Sequence, residues 1–164
     1  MGCKKKDDVQ GRGTNCVCEV VRAIKDIQDA AEDVCECPTN CFQDPLGSLI
    51  KPGKRQKADT RVFILKTADG SPFHAFFRED DCACVSIFFR VEDIFDNCCA
   101  TLRVIKPLDH NRDTVDLTDG CCIDLKSVCN VNRFEATDDC ITVDLSCFCA
   151  IQCVADVDLG ICDD

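Results

Sequence analysis

The chain contains no tryptophan, no tyrosine and a single methionine. Surfaces that grip peptides or antigens are enriched in Tyr and Trp, so that mode of recognition is disfavoured. It also lacks any C-x-x-C, which removes the thioredoxin-type redox motif. Only two histidines occur, His74 in a strand-like run and His110 in a polar turn, with no ligand-like spacing between them. There is no nucleophile elbow, no phosphate-binding glycine loop and no EF-hand-like calcium loop. No catalytic residue, no metal ligand and no cofactor is therefore assigned. No run approaches the length of a membrane span. Five of the first eight residues are charged where a secretory signal would have an apolar run, so neither a signal peptide nor a membrane partner is expected. Met1-Gly2 resembles the start of a myristoylation site, but position 6 is Lys6, where that motif has Ser or Thr. Basic charge is scarce as well. Nineteen Lys and Arg face 30 Asp and Glu, a net charge of −11, which argues against nucleic acid as a partner.

What the chain has in excess is cysteine, 18 of 164 residues. A domain of this length buries about 70% of its unfolded surface and does not need disulfides to form a core. So high a cysteine content marks oxidised extracellular scaffolds, yet no route of secretion is legible. Both observations hold if the chain is made in a reducing cytosol and meets an oxidant later. A coat assembled inside a mother cell and exposed when that cell lyses is such a setting. Copies carrying −11 repel one another, so self-association has to rest on local complementarity, apolar contacts or cations.

Residues 1–13 read as a flexible arm carrying Cys3. Residues 14–37 contain an amphipathic helix, with Val17, Val20, Val21, Ile24, Ile27, Ala31 and Val34 at helical spacing. Asn15 is placed to cap it and Glu19 lies in its first turn. Cys37-Pro38 ends it, because the residue before proline leaves the helical region. Residues 38–60 are loop, and they hold a basic island in an acidic chain: Lys51, Lys54, Arg55 and Lys57. The island reads either as a solvated loop or as an assembly patch for an acidic neighbour.

Residues 61–155 read as a β domain and 156–164 as an acidic tail. Arg61–Thr67 alternates, Asp69-Gly70 marks a turn and Phe73–Phe77 returns, which predicts a hairpin over 61–78. Val85, Ile87, Phe89 and Val91 form one face of the next strand. Phe88 on the opposite face implies that this face is partly covered too. Thr101–Pro107 is a further strand, and Thr114–Leu117 and Ile123–Val131 are shorter candidates. The fold class expected is mainly β, a β-sandwich or barrel-like domain with an N-terminal amphipathic helix.

The last strand region is the densest in sulfur. In Cys140-Ile-Thr-Val-Asp-Leu-Ser-Cys-Phe-Cys-Ala-Ile-Gln-Cys153 every odd position is apolar or a thiol, the pattern of a strand with one buried face. An unbroken strand of this length is long for a small domain, so a bend near Ser146, or two strand segments, is expected. On this reading Cys147, Cys149 and Cys153 fall on the core side. Cys140, Cys147, Cys149 and Cys153 are taken as core or internal-disulfide residues. Cys3, Cys16, Cys18 and Cys162, in the arm, the tail or at the helix start, are taken as intermolecular disulfide candidates. Adjacent cysteines, 98/99 and 121/122, point to opposite faces if they lie in strands, so some thiols have to sit on the surface or in turns.

The run from Cys140 to Cys153 resembles the signature of the spore coat protein Y/Z family, which includes crust proteins and a cysteine-rich protein of the exosporium basal layer. Ser86-Ile-Phe-Phe-Arg-Val-Glu92 followed by Cys98-Cys-Ala-Thr-Leu102 matches it too, and Cys16-Val-Cys18 with Cys37-Pro-Thr-Asn-Cys41 does so more weakly. The resemblance spans most of residues 16–154. It implies a structural, self-assembling protein of the spore surface: a hexameric unit tiling a two-dimensional lattice and cross-linked by disulfides. Its partners would be other copies of itself and other coat or exosporium proteins. The tail departs from the crust pattern of His-rich ends, since this chain finishes Gly160-Ile-Cys-Asp-Asp164. The alternative reading is a cysteine-rich zinc-binding protein. Cys37/Cys41 and Cys149/Cys153, each four apart, are the pairs whose spacing would serve it.

Overall fold

A computed structural model describes residues 15–32, 58–79 and 85–161. The expected arm, much of the 38–60 loop with its basic island, and the end of the tail lie outside them.

Helix α1 spans Cys16–Glu32. Asn15 caps it, its side-chain oxygen accepting from the Cys18 backbone N–H at 3.3 Å. Its buried stripe is Val17, Cys18, Val21, Ile24 and Gln28. Ile27, expected on that stripe, is half exposed, and Gln28 takes the inward place. The reason is polar. The Gln28 amide donates to the Val91 carbonyl at 2.9 Å and accepts from the Arg61 N–H at 3.1 Å, joining the helix to two strands at once.

Nine strands follow among the described residues. The main sheet is antiparallel and is built from β1 (Thr60–Lys66), β4 (Phe88–Ile94), β5 (Cys99–Leu108), β8 (Arg133–Asp144) and β9 (Ala150–Val157). Their order is β8-β5-β4-β1-β9. The two outermost strands, β8 and β9, are thus joined by residues 145–149 alone. Edges of a flat five-stranded sheet stand about 19 Å apart, and a link that includes a 3-10 turn, rising about 2 Å per residue, falls short of that. The sheet curls to bring its edges round. The fold is mainly β with one helix near the N-terminus, as expected.

Both faces of the sheet are covered, as Phe88 implied. Alternation along β1 sends Phe63 and Leu65 to the helix side, while Val62 and Ile64 go to the other. On the helix side α1 packs over Phe63, Leu65, Phe89, Val91, Leu102 and Val104. On the far side Val62, Ile87, Phe88 and Ile105 are covered by an excursion that leaves β5 and returns at β8, contributing Val115, Leu117, Ile123, Val128 and Val131. The excursion holds the short ribbon β6 (Thr118–Asp119) and β7 (Cys122–Ile123), then the single-turn helix α2 (Leu125–Val128).

Two local expectations need correction. The 61–78 hairpin closes only through the bridge between Lys66 and Pro72. Beyond it β2 (Ala75–Phe76) turns away to pair with β3 (Val85–Ser86), because β1 already has β4 and β9 as its two neighbours. Nor is Ile123–Val131 a strand after β7. Asp124 accepts from the Lys126 N–H at 3.0 Å and caps a helical turn.

Candidate functional site

The chemistry this chain carries is sulfur, and the topology gathers much of it at one end of the sheet. The start of α1 brings Cys16 and Cys18, the β4–β5 turn brings Cys98 and Cys99, and the β8–β9 link brings Cys147 and Cys149. Register pairs Cys99 with Asp144. The Leu145 N–H donates to the Cys98 carbonyl at 3.0 Å, and α1 lies against the 145–147 turn. Three segments far apart in sequence therefore meet there.

Cys18 and Cys98 form a disulfide with a Cα–Cα distance of 5.7 Å and a sequence separation of 80. Cys98 adopts a left-handed conformation, φ 63°, and packs against the helix-side core. Arg22 supports the same junction by donating to the Phe95 carbonyl at 2.9 Å. The assignment of Cys18 to intermolecular bonding is thus overturned. It is fully buried because it stands one turn before Val21 on the inward stripe, where no second chain can reach it. Cys16, two residues earlier, faces outward and carries a free, exposed thiol.

The core or internal-disulfide assignment is overturned for Cys140, Cys147 and Cys153, whereas Cys149 is in a disulfide, one of the two roles expected of it. Cys140, Cys147 and Cys153 are free and exposed, while Cys149 is exposed and disulfide-bonded. The expected bend occurs: β8 stops at Asp144 and a 3-10 turn, Leu145–Cys147, separates it from β9. Asp144 caps this turn by accepting from the Ser146 N–H at 2.9 Å. The turn resets the alternation. Phe148 takes the inward position, edge-on to Phe73, and the flanking Cys147 and Cys149 turn outward. Cys153 sits across from Phe63 on the outermost strand, where a neighbour on one side only leaves it open to solvent.

Cys140 belongs to a different environment. It pairs with Arg103 across β5 and β8, directly after a bulge in which residues 137–139 oppose Val104. Glu92 joins Arg103 at 2.5 Å and the buried Arg90 at 3.0 Å. Partial burial pushes the Cys140 thiol up from its ordinary value. Arg103 opposes that rise, and Glu92, Asp139 and Asp138 add to it.

A third group stands on the excursion. Cys121 and Cys122 are free, exposed, and have their sulfurs 3.4 Å apart. Cys129 is exposed beyond α2. The hydrogen bond to Cys121 is the main cause that raises the Cys122 thiol above its ordinary value. Sequence reasoning placed some thiols in turns but did not assign these. The Gly120-Cys-Cys sequence after Thr118-Asp119 was the signal, a tight turn bearing both.

Cys3, Cys162, Lys51, Lys54, Arg55 and Lys57 lie outside the described residues. Among the described residues no group of three or more His, Cys, Asp or Glu side chains converges as it would on a metal. Cys149, one of the proposed zinc pair with Cys153, is bound in a disulfide and is not available as a thiolate. No helix among the described residues is long and apolar enough to cross a membrane.

Comparison with known proteins agrees with the resemblance. A family model described as spore coat protein Z matches residues 1–156. Spore coat protein Z of Bacillus subtilis (strain 168) is 37% identical over 145 residues, covering 86% of this chain and 89% of that protein. No solved structure matches the chain.

Proposed function

The chain belongs to the spore coat protein Z family, and from that premise we propose that it is a structural, self-assembling component of the spore surface with no enzymatic role. Copies associate into a hexameric unit, the units tile a two-dimensional lattice, and disulfides between chains harden it. Synthesis takes place in the mother-cell cytoplasm. The partners are other copies of the chain and other coat or exosporium proteins.

The observation that carries this reading is the surplus of outward thiols on a finished fold. Eight cysteines among the described residues are free, and seven of them are exposed. A soluble monomer avoids exposed free cysteine because it cross-links in an oxidising medium. Here the core is built from Phe, Val, Leu and Ile with one described staple inside it, so the outer thiols are not needed to hold the domain together. They remain for contacts between copies. A closed ring and a sheet of rings need at least two different interfaces, and Cys16, at the outward start of α1, is available to one of them.

Electron microscopy of the protein made in a reducing cytosol, with and without reductant, tests the reading. Ordered sheets in either condition are expected, with boiling in detergent dispersing them only when reductant is present. A monomer under both conditions would overturn the proposal.

A further inference from the structure

Cys121 and Cys122 sit on a braced turn. Gly120, at φ 60°, reverses the chain between β6 and β7. The Asp124 N–H donates to the Leu117 carbonyl at 2.8 Å, and the Asp124 carboxylate accepts from Ser127 at 2.9 Å. The pair forms part of the rim of a cleft of about 790 Å³ with Ile64, Ile87, Ile123 and Val128 among its lining. Two thiols in contact beside an apolar cleft are neither core packing nor part of the Cys18–Cys98 staple.

A disulfide between adjacent residues departs from relaxed geometry, and strained, exposed disulfides are the oxidising, exchanging ones. Dioxygen can close this pair. The two thiols give up two protons and two electrons, one S–S bond forms, and hydrogen peroxide leaves. A thiolate of another chain then attacks one sulfur. The new interchain S–S bond forms as the Cys121–Cys122 bond breaks, and the displaced sulfur leaves as a thiolate that takes up the proton lost by the attacking thiol. Bonding passes from a strained ring to a relaxed bridge, so no oxidant is needed at the contact itself.

We propose that the Cys121/Cys122 pair is the acceptor in this exchange and that its partner is Cys153 of a second copy of the chain. Cys153 is a free, exposed thiol followed by Val154, a 44% exposed apolar residue. Val154 is the extra residue of a bulge, since Val62 pairs with Ala155 while Phe63 pairs with Cys153. Bulges re-aim side chains at sheet edges. The single charge on β9, Asp156, is already held by Arg61 at 2.7 and 2.8 Å, so a like-charged copy meets little repulsion there. An apolar knob beside a thiol complements an apolar cleft beside a dithiol. The contact is heterologous, strand edge to cleft, the kind that builds rings or rows. It rests on the coat reading, which supplies neighbouring copies.

The test mixes air-oxidised protein, freed of oxygen, with an isotope-labelled, fully reduced Cys121→Ser/Cys122→Ser variant, followed by alkylation and peptide mapping. A peptide joining Cys121 or Cys122 to the labelled Cys153 is expected. It should be lost when the acceptor is reduced beforehand or when the donor also carries Cys153→Ser, and diminished by Val154→Lys in the donor. Full alkylation of both Cys121 and Cys122 after air oxidation, or capture of another cysteine in place of Cys153, would overturn the proposal. Ordered sheets lacking this peptide would sink the exchange site and leave the coat reading standing. The peptide without any ordered assembly would do the reverse.

Discussion

The dipeptide Cys-Cys occurs twice, at 98/99 and at 121/122, each time at a turn, and the two pairs end in different chemical states. At the β4–β5 turn, α1 stands directly over the chain. Cys98 turns inward with φ 63° and bonds to Cys18, while Cys99 begins β5 as a half-exposed thiol. At the β6–β7 turn both sulfurs remain in solvent, in contact with each other. The sequence motif is the same. What differs is whether the topology sets a partner opposite, and that decides whether sulfur closes the fold or stays available outside it.

The sharpest way to break this comparison is to remove a sulfur from each region. A staple closing 80 residues contributes about 4.5 kcal/mol on the chain-entropy account. Cys18→Ala should lower the urea-unfolding free energy by about that amount, whereas Cys121→Ser should change it by under about 0.5 kcal/mol. Equal losses would contradict the division into inner and outer sulfur.

The next largest effect concerns the charged cluster beside Cys140. Glu92→Gln leaves the buried Arg90 and the half-buried Arg103 without their shared carboxylate. A loss of about 3 kcal/mol is expected in the same assay, the low end for breaking a buried pair because Glu92 is partly exposed. The same change removes one of the charges that raise the Cys140 thiol, so Cys140 should then alkylate faster. In the native protein, partial burial should make Cys140 alkylate slowly near neutral pH, since only the thiolate reacts. Timed iodoacetamide labelling read by mass spectrometry checks both statements.

The smallest effect is at the β1–β9 clamp. The Arg61 hydrogen bond, ahead of its charge, holds the Asp156 carboxyl below the usual aspartate range. A lowered folded value means that the contribution is present above the unfolded pKa of about 3.9 and is lost as pH falls below it through the folded value. The pair is largely exposed, so Asp156→Asn should cost under about 1 kcal/mol at neutral pH, and the difference from the native protein should vanish in acid. Unfolding curves at neutral and acid pH would show it.

Much of this fold was legible in the residues. The helix announced itself through its apolar spacing, and β4, β5 and β8 through alternation. The covered second face was readable from Phe88 alone, and the break near Ser146 from the length of the last run. What failed did so for nameable reasons. Period-two reading carried the inward face straight through residues 145–149, but a three-residue turn capped by Asp144 shifts the alternation there and turns Cys147 and Cys149 outward, while Cys153 is exposed because it stands on the outermost strand. Cys18, at the helix start, was assigned to bonding between chains, although its place three residues before Val21 already put it on the buried stripe. Its partner, 80 residues on, could not be read from spacing. The buried Gln28 and Arg90 looked like surface residues because their partners, the Val91 carbonyl, Thr60 and Glu92, come from strands that only the folded sheet brings near.

The most direct test of an inner and an outer class of sulfur is disulfide mapping on sheets grown from an equal mixture of light and heavy isotope-labelled chains, alkylated without reduction. The Cys18–Cys98 peptide should appear only in light–light and heavy–heavy form, and mixed light–heavy disulfide peptides should arise from the exposed cysteines. Mixed-isotope Cys18–Cys98, or assembled sheets with no mixed-isotope disulfide at all, would contradict the account.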